Sequence, residues 1–155
     1  MSKVNQISKN ENYTAVNVGS LELLANHTLI HPVNKQLVVG KVFLKDITDA
    51  TGTEISFNTI PPKTELSYFH FHEQNEETYM ILKGSGDFQV DDDSFPISEG
   101  SVIRVAPKGI RCMRNTSEEA MIYIVVQSKE KSLQQYTTED GGRVEYERKW
   151  KSNND

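Results

Sequence analysis

At 155 residues the chain is of single-domain length, with room for one substantial core. Its 22 acidic residues outnumber 17 basic ones, a net charge of −5 that argues against a nucleic-acid partner. No apolar run approaches a membrane span, Met1–Gln6 lacks the apolar core of a secretory signal, and the single cysteine, Cys112, excludes an internal disulfide framework, so a cytoplasmic protein is expected.

In chain order, residues 1–12 are polar and are expected to form a loose arm. Leu21, Leu23, Leu24 and Leu29 follow neither period well, and a short helix is expected around 20–25. Residues 37–44 then read as a strand, Asp49–Gly52 as a turn, and 54–60 as a half-buried strand that Pro61 and Pro62 stop, because neither proline can donate to a ladder. Residues 65–72 alternate, which places Leu66, Tyr68, His70 and His72 on one face. Short strands follow at 78–82, 87–90, 95–97, 101–105, 110–114 and 120–127, separated by turn signals that include Gly84, Asp91–Ser94, Gly100 and Pro107–Gly109. The pattern is that of an all-β sandwich or barrel: a polar N-terminal arm (1–35), a β-domain (36–128) and a C-terminal segment (129–155) that Trp150 is expected to pack onto the domain, with a loose end.

Chemistry concentrates in one stretch. His70 and His72, two residues apart on an alternating strand, lie about 7 Å apart along the backbone and point the same way. Glu77 follows across a polar loop, where an antiparallel neighbour brings it to the same point. Imidazole nitrogens and a carboxylate oxygen together suit a borderline divalent metal. The same alternation predicts a pocket lined by His70, His72, Glu77, Tyr68 and Tyr79, with the two tyrosines as candidates for orienting a substrate or moving a proton. Arg104, inside an apolar strand, is either an outward arginine or a pocket cation. His27 and His31 read as ordinary loop histidines.

The spacing His70-x-His72-x4-Glu77-x6-Gly84 closely resembles the first conserved motif of the cupin superfamily, in which both histidines and the glutamate are metal ligands. The resemblance extends over roughly residues 36–128 in strand order, with Thr64 a departure where that motif usually begins with Gly. It implies a cupin-type jelly-roll β-barrel. The second cupin motif, Gly-x5-Pro-x-Gly-x2-His-x3-Asn, has a frame here in Gly100, Pro107, Gly109 and Asn115, but one interval is a residue longer, another a residue shorter, and the histidine is missing. Counted from Gly109 its place falls to Cys112; counted back from Asn115 it falls to Arg111. Strand alternation sends only one of these neighbours inward. An inward Cys112 offers a thiolate ligand; an inward Arg111 opposes a cation and pairs with Glu77 or an anionic ligand.

Inward histidines turn Phe69 and Phe71 outward, and the parity of Glu77 turns Met80 and Leu82 away from it. So many large apolar side chains on an outer face call for a cover, by the 13–31 segment, the C-terminal tail or a second copy of the chain, and a homodimer is expected. Two functions remain open. One is a small metal-dependent cupin enzyme of the dioxygenase, isomerase or decarboxylase type, holding iron, manganese, nickel or zinc and acting on a small polar molecule. The other is a non-catalytic module binding a small ligand, metal-free or with a degenerate metal site.

Overall fold

The computed structural model describes residues 4–31, 35–135 and 138–150. The polar arm is a hairpin rather than a loose segment: β1 (Asn5–Asn10) pairs with β2 (Tyr13–Asn17). Asn10 sets its turn, its Oδ1 accepting from the backbone N–H of Asn12 at 2.8 Å and of Tyr13 at 3.2 Å. The leucine cluster forms a 3-10 helix, Leu21–Asn26. The single strand expected over 37–44 is two strands. Gly40 adopts φ +77 and a Cβ there would meet Thr59 Cγ2 at 2.4 Å, so the chain breaks at a position that favours glycine. Before it, β4 (Leu37–Val39) pairs with β3 (Thr28–Ile30); after it, β5 (Lys41–Phe43) pairs with β6 (Glu54–Ile60). A helical turn, α1 (Lys45–Thr48), links β5 to β6.

The remaining strands are β7 (Asn75–Lys83), β8 (Ser85–Val90), β9 (Asp93–Ser98), β10 (Val102–Val105), β11 (Arg111–Asn115) and β12 (Met121–Lys129). They build a five-stranded sheet in the order β10–β7–β12–β6–β5 and a three-stranded sheet in the order β11–β8–β9, antiparallel throughout. The main core lies between these sheets: Ile60, Tyr79, Ile81, Val105, Met121, Tyr123 and Val125 from the larger meet Phe88, Ile97 and Met113 from the smaller. On the outer side of the large sheet the 3-10 helix drives Leu24, which is fully buried, against Val42 and Ile122.

The sheets do not close into the expected barrel. The segment 65–72, expected as a strand, makes only two isolated bridges, Glu65 with Arg114 and His70 with Arg111. Five residue steps on one side oppose three on the other, so the chain bulges between them and the ladder is lost. The C-terminal segment also departs from expectation. After β12 the described residues are irregular apart from a short 3-10 turn, Thr138–Asp140, and Trp150 is 84% exposed rather than packed on the sheets. Among the described residues no helix is long and apolar enough to cross a membrane.

Asn115 ties the end of β11 to the turn after β6. Its buried Nδ2 donates to the carbonyls of Ile60 and Pro61, each at 3.0 Å, and of Glu119 at 2.7 Å, while its Oδ1 accepts from Ser117 N and Oγ at 2.9 and 2.7 Å. Asn115→Ala leaves these carbonyls without their donor in a buried place. The expected loss is about 2–4 kcal/mol in urea unfolding; a change below about 0.5 kcal/mol would show that water replaces the amide without cost.

Candidate metal and ligand site

The period of β7 decides the site. Glu77, Tyr79 and Ile81 are buried and face the core, while Met80 and Leu82 face out. Glu77 sits between Val105 of β10 and Gln127 of β12 in register, which puts its carboxylate on the inner face of the large sheet. The bulged segment brings both histidines over it. His70 Nε2 lies 3.6 Å from Glu77 Oε2, and His72 Nε2 lies 3.1 Å from Oε1. The two imidazoles stand edge to face with centroids 5.6 Å apart. One ligand atom from each of His70, His72 and Glu77 falls within 4.8 Å of the others.

A carboxylate this buried needs partners. Arg111 Nη2 donates to Glu77 Oε2, and the Tyr79 hydroxyl donates to the same oxygen at 2.5 Å. Arg111 is 1% exposed; its Nε donates to Tyr79 Oη at 3.3 Å and its Nη1 to the Gly109 carbonyl at 3.1 Å. Burial alone would raise the Glu77 carboxyl, but contacts from His70, Arg111 and Tyr79 and the guanidinium charge reverse this and hold it well below the usual carboxylate range. Burial, reinforced by the Glu77 charge, pushes the Tyr79 phenol well up, so Tyr79 keeps its proton and spends it on Glu77. Burial also lowers His72, against the pull of Glu77, which favours a neutral imidazole. Gln127 Nε2 lies 2.9 Å from His72 Nε2. Sequence reading missed this residue; its signal was parity, since Gln127 shares a face with Tyr123 and Val125 at the end of an apolar run.

Between Arg111 and Cys112 the structure chooses Arg111. Cys112 Sγ turns to the outer side of the small sheet, 3.5 Å from the Leu66 carbonyl in a depression shared with Glu65, Phe69 and Asp87, and burial pushes its thiol up. It is thereby removed as a fourth ligand. Arg104 is not a pocket cation either: it lies on the outer face, where its guanidinium pairs with Glu76 at 2.5 Å and Glu130 at 3.5 Å. Tyr68, carried on the bulge, is 57% exposed, its ring 5.7 Å from that of His70 at the edge of the cavity. His27 is a structural residue, with Nε2 3.0 Å from the Val18 carbonyl.

A cavity of about 400 Å³ opens from this cluster along the inner face of the large sheet. Its lining includes Tyr68, His70, Glu77 and Tyr79 at one end and Lys41, Asn58 and Tyr123 towards β5. The donor set fits a divalent transition metal: two imidazoles and a carboxylate converge, and Glu77 Oε1 faces His72 while Arg111 and Tyr79 occupy only Oε2. The departure from a four-ligand site is Arg111, which brings a cation where a further ligand would stand.

With the geometry in place, comparison with known proteins identifies the family. The cupin domain model matches residues 56–127. A cupin protein from Bacteroides fragilis is similar at 35% identity over 68% of this chain and 89% of that chain, with a TM-score of 0.64. The chain belongs to the cupin superfamily. Two more distant structures share the fold: a predicted oxalate decarboxylase from Thermotoga maritima (22% identity, 66% of this chain and 90% of that one, TM-score 0.54) and a sugar phosphate isomerase from Silicibacter pomeroyi (17% identity, 57% and 58%, TM-score 0.51). No curated protein matches the chain.

Arg111→Met keeps most of the side-chain volume and removes the charge, leaving Glu77 with Tyr79 and the histidines. Breaking a buried pair in this way is expected to cost about 3–5 kcal/mol at neutral pH. Because the folded Glu77 carboxyl is depressed, its contribution exists above the unfolded carboxylate pKa and fades as pH falls through the folded one. In the variant the carboxyl moves up and tolerates protonation, so the stability gap narrows from about pH 7 to about pH 4. Urea unfolding at both pH values reads the gap; one that stays constant or widens would show that Glu77 does not depend on this cation.

Proposed function

We propose that the chain holds a divalent transition metal, one of iron, manganese, nickel or zinc, through His70, His72 and Glu77, and presents it to a small polar molecule in the adjoining cavity. The reaction is of the dioxygenase, isomerase or decarboxylase type. The observation that carries this reading is the convergence of three ligand atoms within 4.8 Å at one end of a cavity of about 400 Å³. Three protein ligands leave positions open to the cavity, where a bound metal supplies Lewis-acid or redox chemistry. The chain's own residues do the positioning. Arg111 and Tyr79 fix the Glu77 carboxylate, Gln127 steadies His72, and Tyr68 edges the space where the ligand sits. Tyr79 is a positioning residue rather than an acid or base, because its proton is committed to Glu77.

A second reading is a metal-free ligand-binding module. It is favoured by the buried Arg111, which already gives Glu77 the countercharge that a metal would provide. Elemental analysis of protein purified without a metal-binding tag separates the two. One equivalent of transition metal, lost in His70→Ala, is the expected result; substoichiometric metal in both proteins leaves the metal-free module.

We also infer a homodimer. Val102, Met80 and Ile124 stand in one cross-strand row on the outer face of the large sheet, beside Leu82, and Val102 is 66% exposed. The N-terminal helix covers Val42 and Ile122 and leaves this row. A second copy would bury it. Light scattering at micromolar concentration is expected to give twice the 17.6 kDa chain mass, and the monomer mass would refute the pairing.

A further inference from the structure

The far end of the cavity carries a cation that the metal cluster does not use. Lys41 lies in register with Asn58 of β6, and Asn58 with Tyr123 of β12, so the three form one cross-strand row on the inner face of the sheet. All three line the cavity. The Asn58 amide is turned by its Nδ2, which donates to Ser56 O and Oγ at 3.0 Å each, and Tyr123 is 6% exposed with no hydrogen bond from its hydroxyl to the described residues. Lys41 Nζ rests 4.6 Å over the Phe43 ring and has no carboxylate within salt-bridge distance among the described residues. Burial pushes its ammonium down, against the more distant pull of Glu77 and Glu54. Glu77 is already neutralised by Arg111, so Lys41 leaves the cavity with a surplus positive charge before any metal is counted.

We propose that Lys41, flanked by Asn58 and Tyr123, is an anchoring point for a second carboxylate of the ligand, so that the cavity takes a small dicarboxylate with its other end at His70, His72 and Glu77. The proposal rests on the reading of that cluster for the near carboxylate only. An anion at the far end gains a charge-assisted hydrogen bond from the ammonium and a neutral donor from the Tyr123 hydroxyl. The lining also includes the apolar side chains of Leu66 and Val125, which suit a short hydrocarbon link.

The test compares glutarate with its monomethyl ester, which keeps one carboxylate and nearly the same length, by isothermal titration calorimetry at neutral pH. The metal content of each preparation is measured alongside. The full-length protein is expected to bind glutarate about tenfold or more tightly than the half-ester. Lys41→Met is expected to abolish that preference while leaving metal content unchanged and the protein folded, as read from a cooperative melting transition. No preference in the unsubstituted protein overturns the proposal whatever the variant does, and so does a preference that survives Lys41→Met. Stoichiometric metal without a glutarate preference refutes the Lys41 anchor alone. A Lys41-dependent preference in protein devoid of metal refutes the metal reading alone and keeps the anchor.

Discussion

A carboxylate withdrawn from water is the constraint around which this molecule is arranged. Glu77 is 8% exposed, and no such group stays ionised without donors aimed at it. Arg111 and Tyr79 supply them on one oxygen, and His72 faces the other. Each partner comes from a different part of the chain: Tyr79 from the same strand, Arg111 from the opposite sheet, His72 from the bulged segment. Satisfying one carboxylate therefore joins the two sheets at the mouth of the cavity, where the apolar core gives out.

The same demand explains why the sheets do not close there. A regular ladder between residues 65–72 and β11 would pair every residue of the segment. Instead His70 and Arg111 exchange backbone bonds at 3.2 and 3.0 Å, Leu66 reaches Met113 at 3.1 Å, and the residues between arch outward. The arch carries Tyr68 and Phe69 into solvent and leaves both imidazoles about 30% exposed at its base, with His70 lining the cavity and His72 held by Gln127.

Much of this was legible in the sequence because period-two alternation is a strong constraint. The parity of β7 set Glu77 and Tyr79 inward and Met80 and Leu82 outward, and the turn chemistry around Gly84 and Gly100 set the hairpins. The misses have specific causes. Alternation assumes an unbroken strand, so it cannot see a bulge at 66–70 or a break at Gly40, both of which depend on what packs opposite. The choice between Arg111 and Cys112 was undecidable from spacing, because one insertion and one deletion flank it; the Glu77 charge decides it, as only Arg111 can neutralise that carboxylate. Lys41 was invisible as a cavity residue because the strand containing it reads as continuous, and its place in a row with Asn58 and Tyr123 exists only once β5 has paired with β6. Trp150 shows the opposite error: its apolar ring is expected to pack the C-terminal segment onto the domain, yet it is 84% exposed, because size and hydropathy do not say which surface a side chain reaches.

The substitution of arginine for the missing histidine need not be loss of a site. With a fourth neutral ligand, Glu77 would keep its negative charge for the metal. With Arg111 on its Oε2, the carboxylate is neutralised before an ion arrives, and the site would offer a divalent cation two imidazoles and Oε1. An ion held in that way would keep more of its charge toward the cavity, in a setting where field lines are poorly screened. Its affinity would be lower than that of a four-ligand site, and its attraction for an anionic ligand higher. Lys41 adds to the same field from the far end. On the proposed metal reading, the arginine would move the balance of the site from holding the ion to holding what the ion binds, since it neutralises the carboxylate without filling the cavity.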